Sequence, residues 1–170
     1  MKKHYLILTA LAIVITIFSC KKEDAEEVST YVAPSTTMTA TVNDTAWSAL
    51  TRVTKHYTNT NVFVIVGTDT DGKVLTITIR GDQKGTYTSS TSLDSLSAQV
   101  GAIWKPNSNE YLSNKGTVEI TEIDTTDKKI SGTFNFDVIN TSDITDGFSV
   151  TSGKFSNLGY TEKTDTTSSK

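Results

Sequence analysis

Few residues in this sequence are of types that do chemistry, and they are scattered. There are two histidines, His4 and His56, and one cysteine, Cys20. Nucleophilic catalysis needs a base beside the nucleophile, most often a histidine. Serines and aspartates are plentiful, so inventory alone leaves a triad through His56 open, but there is no Gly-x-Ser-x-Gly elbow. A lone histidine in a polar strand is expected to face solvent. One histidine and one cysteine give too few ligands for a zinc site. Asp69-Thr70-Asp71-Gly72 has the oxygen spacing with which a calcium loop opens, yet Lys73 to Arg80 supplies neither the further oxygens nor the late bidentate acid such a loop needs. Those four residues are expected to be a hairpin turn, as are Asp124 and Asp127. Glu119 and Glu122 are expected on opposite faces of a strand, which rules them out as the facing carboxylates of glycoside hydrolysis. No catalytic residue, metal or cofactor is expected, and the protein is expected not to be an enzyme.

Aromatic side chains offer a second kind of chemistry. Tyr87, Trp104 and Tyr111 fall near the ends of predicted strands, beside the polar loop Lys105 to Asn109 that holds Pro106. Aromatic faces suit the C–H groups of sugar rings, and a polar loop can bond their hydroxyls. The three therefore form a candidate ligand platform. The competing expectation is that Trp47 and Trp104 belong to the core and the tyrosines cover its edges.

Cys20 has the most informative surroundings. Met1, Lys2, Lys3 and His4 are followed by Tyr5 to Phe18, apolar except for Thr9 and Thr16. As a helix those residues would span about 21 Å at about 1.5 Å each. That is short of a hydrocarbon core about 30 Å thick and matches the apolar region of a signal peptide. Ile17-Phe18-Ser19-Cys20 resembles the lipobox of bacterial lipoproteins. The resemblance implies cleavage before Cys20, a diacylglyceryl thioether on its sulfur and acylation of the new amine. Several buried chains, each CH₂ contributing about 0.8 kcal/mol, would hold the protein in a lipid bilayer. An uncleaved anchor or an ordinary secretory signal is the alternative. Lys21-Lys22-Glu23-Asp24 resembles the lysine-and-acid signal that sends Bacteroidota lipoproteins to the cell surface. The alternative is a solvated start to a linker, with the protein on the periplasmic face of the outer membrane.

Cleavage would leave a mature chain of 151 residues, and loss of Lys2 and Lys3 leaves 14 basic against 19 acidic residues. No basic patch is present, so nucleic acid is not an expected partner. With Cys20 acylated no disulfide is available, and the fold must rest on packing. Threonine, valine, isoleucine and aromatics recur between short polar turns, a composition that suits pleated strands.

Residues 20–37, charged and then Ser/Thr-rich, read as a flexible tether, residues 38–160 as one domain, and 161–170 as a frayed polar tail. Met38, Ala40 and Val42 alternate, Asn43-Asp44 supplies a turn, and Met38 to Ala49 is predicted as a hairpin. Arg52 to Thr58 is a polar strand. The apolar run Val62 to Val66 is expected to be covered on both faces. Leu75, Ile77 and Ile79 alternate on one face. Thr86 to Thr88 is a short strand, and Ser89 to Ser97 a loop or short helix. Ala98, Val100, Ala102 and Trp104 share a face, Tyr111 and Leu112 form an edge segment, and Thr117 to Ile123 is a strand. Ile130, Gly132, Phe134, Phe136 and Val138 give the strictest alternation. Phe148 to Phe155 is expected to be the last strand, with a bulge at Ser152-Gly153; Leu158 and Tyr160 follow as packing residues.

TATVNDTAWSA, GTY from Gly85, GTVEITEID and KISGTFNFDV together resemble a family of uncharacterised Bacteroidota lipoproteins known only as a domain of unknown function. The likeness runs from Met38 to Phe155. It implies an all-β fold and brings no chemistry; Asn43-Asp44 stands where the family usually has Asn-Gly. About eight short-looped strands imply one antiparallel β-sandwich domain, and a lipocalin-like closed barrel satisfies the same count. The expected role is a non-catalytic outer-membrane or cell-surface lipoprotein displaying a binding or structural module. Its partners would be the lipid bilayer, through acylated Cys20, and an unidentified glycan or protein. The alternative role is a glycan- or small-ligand-binding accessory of nutrient uptake.

Overall fold

Side chains on a strand point alternately to its two faces, and from Ile130 to Val138 every second residue is buried. That strand lies in the middle of the architecture. The computed structural model describes residues 35–89 and 99–164. Among them are ten strands and no helix: β1 (Thr37–Val42), β2 (Thr45–Ser48), β3 (Thr51–Tyr57), β4 (Val62–Thr68), β5 (Val74–Arg80), β6 (Gly85–Ser89), β7 (Val100–Lys105), β8 (Tyr111–Asp124), β9 (Lys129–Asn140) and β10 (Gly147–Lys163). The all-β expectation holds, with ten strands where about eight were predicted. The signal segment, Cys20, Lys21, Lys22, Glu23, Asp24 and most of the tether lie outside the described residues. So do residues 90–98, where a loop or short helix was expected, and the last six residues of the tail.

All ten strands share one hydrogen-bonded sheet. The long β9 pairs antiparallel with β8 on one edge and β10 on the other. On its far edge β10 carries two partners in succession. β1 pairs antiparallel along its first part, and β3 pairs parallel along its end, with Tyr160, Thr161, Glu162 and Lys163 opposite Thr54, Lys55, His56 and Tyr57. From β3 the ladder continues through β4, β5 and β7 to β8. Followed in order, these pairings return to their start, so the seven strands β3, β4, β5, β7, β8, β9 and β10 form a circuit with no free edge between them. β2, beyond β1, and β6, on the edge of β8 that also meets β7, are not part of it. The inward faces meet in one core that includes Met38, Phe63, Ile65, Leu75, Ile77, Phe136 and Phe155.

Local chemistry explains the joints. Asn43 and Asp44 both have positive φ, 47° and 58°, between paired Val42 and Thr45. This two-residue turn twists with the strands it joins, and asparagine and aspartate tolerate it. β10 carries two register shifts, at Val150/Gly153 and Phe155/Leu158, with Ser152 and Asn157 at positive φ. Bulges bend a strand, and here they lie along the stretch that leads from β1 to β3. The first was expected at Ser152-Gly153. The second extends the strand to Lys163, so Thr161 to Lys163 is paired structure and not frayed tail.

Three phenylalanines each face a glycine across the ladder: Phe136 faces Gly116, Phe134 faces Gly153 and Phe155 faces Gly132. A Cβ at any of these glycines would overlap the opposing ring. Each ring lies over a bare stretch of backbone, which brings aromatic surface close to the sheet.

Other expectations need correction. Tyr111 and Leu112 are not a separate edge segment but the start of 14-residue β8, where it meets β7. Val62, Val64 and Val66 are only half-buried, so β4 is covered fully on its Phe63 and Ile65 face alone. Glu119 and Glu122 do not point to opposite faces. A register shift between Ile120 and Glu122 sets them opposite Thr133 and Ser131, two residues apart on β9, so both stand exposed on one face. The extra residue of a bulge reverses the alternation counted from sequence.

Candidate functional site

Trp104, on the inward face of β7, is 4% exposed and packs edge-on against Trp47 of β2, ring centroids 5.7 Å apart. This aromatic pair floors an open cleft of about 730 Å³. The β1–β2 hairpin forms one wall through Asn43, Thr45 and Ser48, and the β4–β5 turn forms the other through Asp69, Thr70 and Asp71. Pro106, Phe148, Leu50 and Lys73 also line it. Leu50 is 62% exposed, an apolar side chain held at the mouth of the cleft. Among the described residues β2 pairs only with β1.

The acidic wall is organised by its own backbone. Asp69 Oδ1 accepts the N–H groups of Asp71 at 2.9 Å and Lys73 at 2.8 Å, and Asp71 Oδ2 accepts from Lys73 Nζ at 3.1 Å. The residues that suggested a calcium loop thus close a tight turn, as aspartate does where it bonds the chain two residues on. Asp124 does the same for Thr126 and Asp127, whose N–H groups hold its carboxyl below the usual carboxylate range. Among the described residues no three His, Cys, Asp or Glu side chains gather as metal ligands.

The three platform aromatics do not come together. Tyr111 is opposite Trp104 across β7–β8, but Tyr87 is on β6, opposite Val118. Val118 is seven residues along β8 from Tyr111, roughly 20 Å at about 3.3 Å per residue. The Tyr87 hydroxyl donates to the Gln83 carbonyl at 2.8 Å and its ring lies under Gly81, so it clamps a turn. Tyr111 is 8% exposed, rests against Phe148 at 4.8 Å and donates to Asp146 Oδ2 at 2.8 Å. Asn140 donates to the same oxygen at 2.9 Å. Sequence reasoning missed Trp47 and the β4–β5 turn as cleft walls, because cross-sheet neighbours leave no mark in local spacing.

His56 departs from its expected place. Its ring stacks on Phe63 at 4.2 Å and meets Tyr160 edge-on at 5.7 Å. Both ring nitrogens are covered and, among the described residues, have no hydrogen-bond partner, like Thr54 Oγ1 and Trp47 Nε1. It faces inward and not to solvent, because β3 alternates about Thr54 and His56 lies two residues further on the same face.

The hydrogen bond to Asp146 raises the Tyr111 pKa above 10.0; burial and the nearby carboxylate charge add to it. The neutral phenol is therefore favoured in the folded state. Its contribution to stability is present in full below the unfolded tyrosine value, near 10, and is lost as pH rises through the higher folded value. Unfolding midpoints followed from pH 8 to 11 are expected to fall more steeply for the parent chain than for Tyr111→Phe, which has no proton to lose there.

The described residues thus define an all-β domain of one sheet with an aromatic-floored cleft beside its first hairpin. The chain belongs to the family described as domain of unknown function DUF6252, whose model matches residues 34–159. No curated protein and no solved structure matches it.

Proposed function

We propose that the protein is a lipid-anchored, non-catalytic outer-membrane or cell-surface lipoprotein that displays this β-domain as a binding or structural module. The observation that carries the reading is Cys20, the only cysteine, placed directly after an apolar run and Ser19. Acylation of a mature N-terminal cysteine needs that order. The non-catalytic part is this reading's own; what speaks for it is that the His56 ring is stacked on Phe63 with both nitrogens buried, a poor position for a base that must reach a substrate. Cys20→Ala is expected to leave the precursor unprocessed or release the domain from membranes. Replacing Lys21, Lys22, Glu23 and Asp24 with alanine should keep the protein in the outer membrane but shield it from added protease. Unchanged fractionation of Cys20→Ala would point to an uncleaved anchor, and unchanged protease access would remove the export signal alone.

The cleft favours a second reading, a glycan- or small-ligand-binding accessory of nutrient uptake. Its floor is aromatic and its walls carry carboxylates, hydroxyls and an amide, the arrangement that binds and orients small polar ligands. Retention of a glycan by the parent chain, lost on Thr70→Trp, which fills the cleft from an exposed wall, would support it; no retention on a glycan array would leave the structural role.

A further inference from the structure

The outward face of β3, β4, β5 and β7 differs from the rest of the surface. The ladder sets Val53 beside Val66, Val66 beside Thr76, Thr76 beside Ile103, and Ile103 beside Leu112. This row, apolar except for Thr76, crosses five strands on the side away from the core. Val53 is 53% exposed and Leu112 40%, and half-buried Val62, Val64 and Val74 flank the row. In a chain with more acids than bases, none of the outward residues of these four strands is acidic. Three are basic: Lys105, which pairs with Glu110, and Lys55 and Arg80, which have no ion pair among the described residues.

We propose that this face lies against an anionic lipid bilayer, the one that holds the acylated Cys20. The inference rests on the anchoring proposed above. Apolar side chains flanked by unpaired cations match the boundary between acyl chains and anionic headgroups. Each cation near such a surface raises occupancy roughly fivefold, so Lys55 and Arg80 together supply roughly thirtyfold. Cys20 and Thr37 are seventeen positions apart, at most about 58 Å of fully extended chain, so an anchor at Cys20 gives the face a high effective concentration at the bilayer and a weak contact suffices. A second copy fits less well, since its matching face brings the same unpaired cations and no acid to meet them.

The test uses the acylated protein reconstituted into vesicles of phosphatidylcholine, with or without phosphatidylglycerol. A polarity-sensitive dye is attached to a cysteine placed at Thr78, in this face, or at Asn135, exposed on β9. The expected result is a blue shift of the Thr78 label on anionic vesicles only, reduced roughly thirtyfold in occupancy by Lys55→Gln with Arg80→Gln, and no shift at Asn135. Equal shifts at both sites, indifference to lipid charge, or a shift that grows with protein density and marks a second copy would overturn the inference. Failure to float with either vesicle would mean that Cys20 carries no anchor, and would overturn the anchoring and this inference together.

Discussion

Phe136→Ala is expected to lower unfolding free energy by about 3–5 kcal/mol, a large share of the 5–15 kcal/mol typical of a domain. The ring is 1% exposed and lies over Gly116. Truncation removes its burial and leaves a hollow that backbone on the far side cannot fill, since glycine has no side chain to move inward. Phe134→Ala, over Gly153, should behave alike. Asn135 between them points to solvent, and Asn135→Ala should stay within about 0.5 kcal/mol. Urea denaturation of the three variants reads this directly. Equal small effects at all three positions would show that the inward register of β9 is not the one described.

Trp104→Ala should cost a similar amount, about 3–5 kcal/mol, because the indole is buried and forms an edge-to-face pair with Trp47. Loss of the pair also frees Trp47, so the cleft floor should loosen and the fluorescence of the remaining indole should shift to the red. A side chain serving only as an exposed stacking surface would give the opposite pattern, with binding lost and the melting temperature kept. Thermal melts of the variant, with tryptophan emission recorded in parallel, separate the two.

Alternation carries most of what the sequence disclosed. Leu75, Ile77 and Ile79, or Ile130 to Val138, have one face in the core and the other in solvent, so the period of two is visible in the residue types. Asn43-Asp44 was legible because few residues accept two successive positive φ values. The end of β10 was hidden because Thr161, Glu162 and Lys163 are held by backbone pairing to an equally polar strand, and no side-chain pattern marks such a ladder. The register shift between Ile120 and Glu122 was hidden for a different reason. A bulge shifts the count by one without a glycine or proline to announce it, and Glu119 and Glu122 changed faces with it. The cleft was half legible: Trp104 was singled out, but Trp47 and Asp69 reach it from strands far apart in the chain.

The parallel seam between β3 and β10 has a consequence for biogenesis. Thr58 bonds the Lys163 carbonyl across 105 positions of chain, and the circuit shuts only there. Synthesis from the N-terminus delivers β3 early and the end of β10 last. Until those final residues arrive, β3 has one bare edge exposed to every other strand in the compartment, a template for misassembly. Closure at such a sequence separation is slow on the scale of hairpin formation. The half-made domain therefore needs shelter from its neighbours for as long as synthesis lasts, and a stop codon a few residues early would prolong that exposure indefinitely.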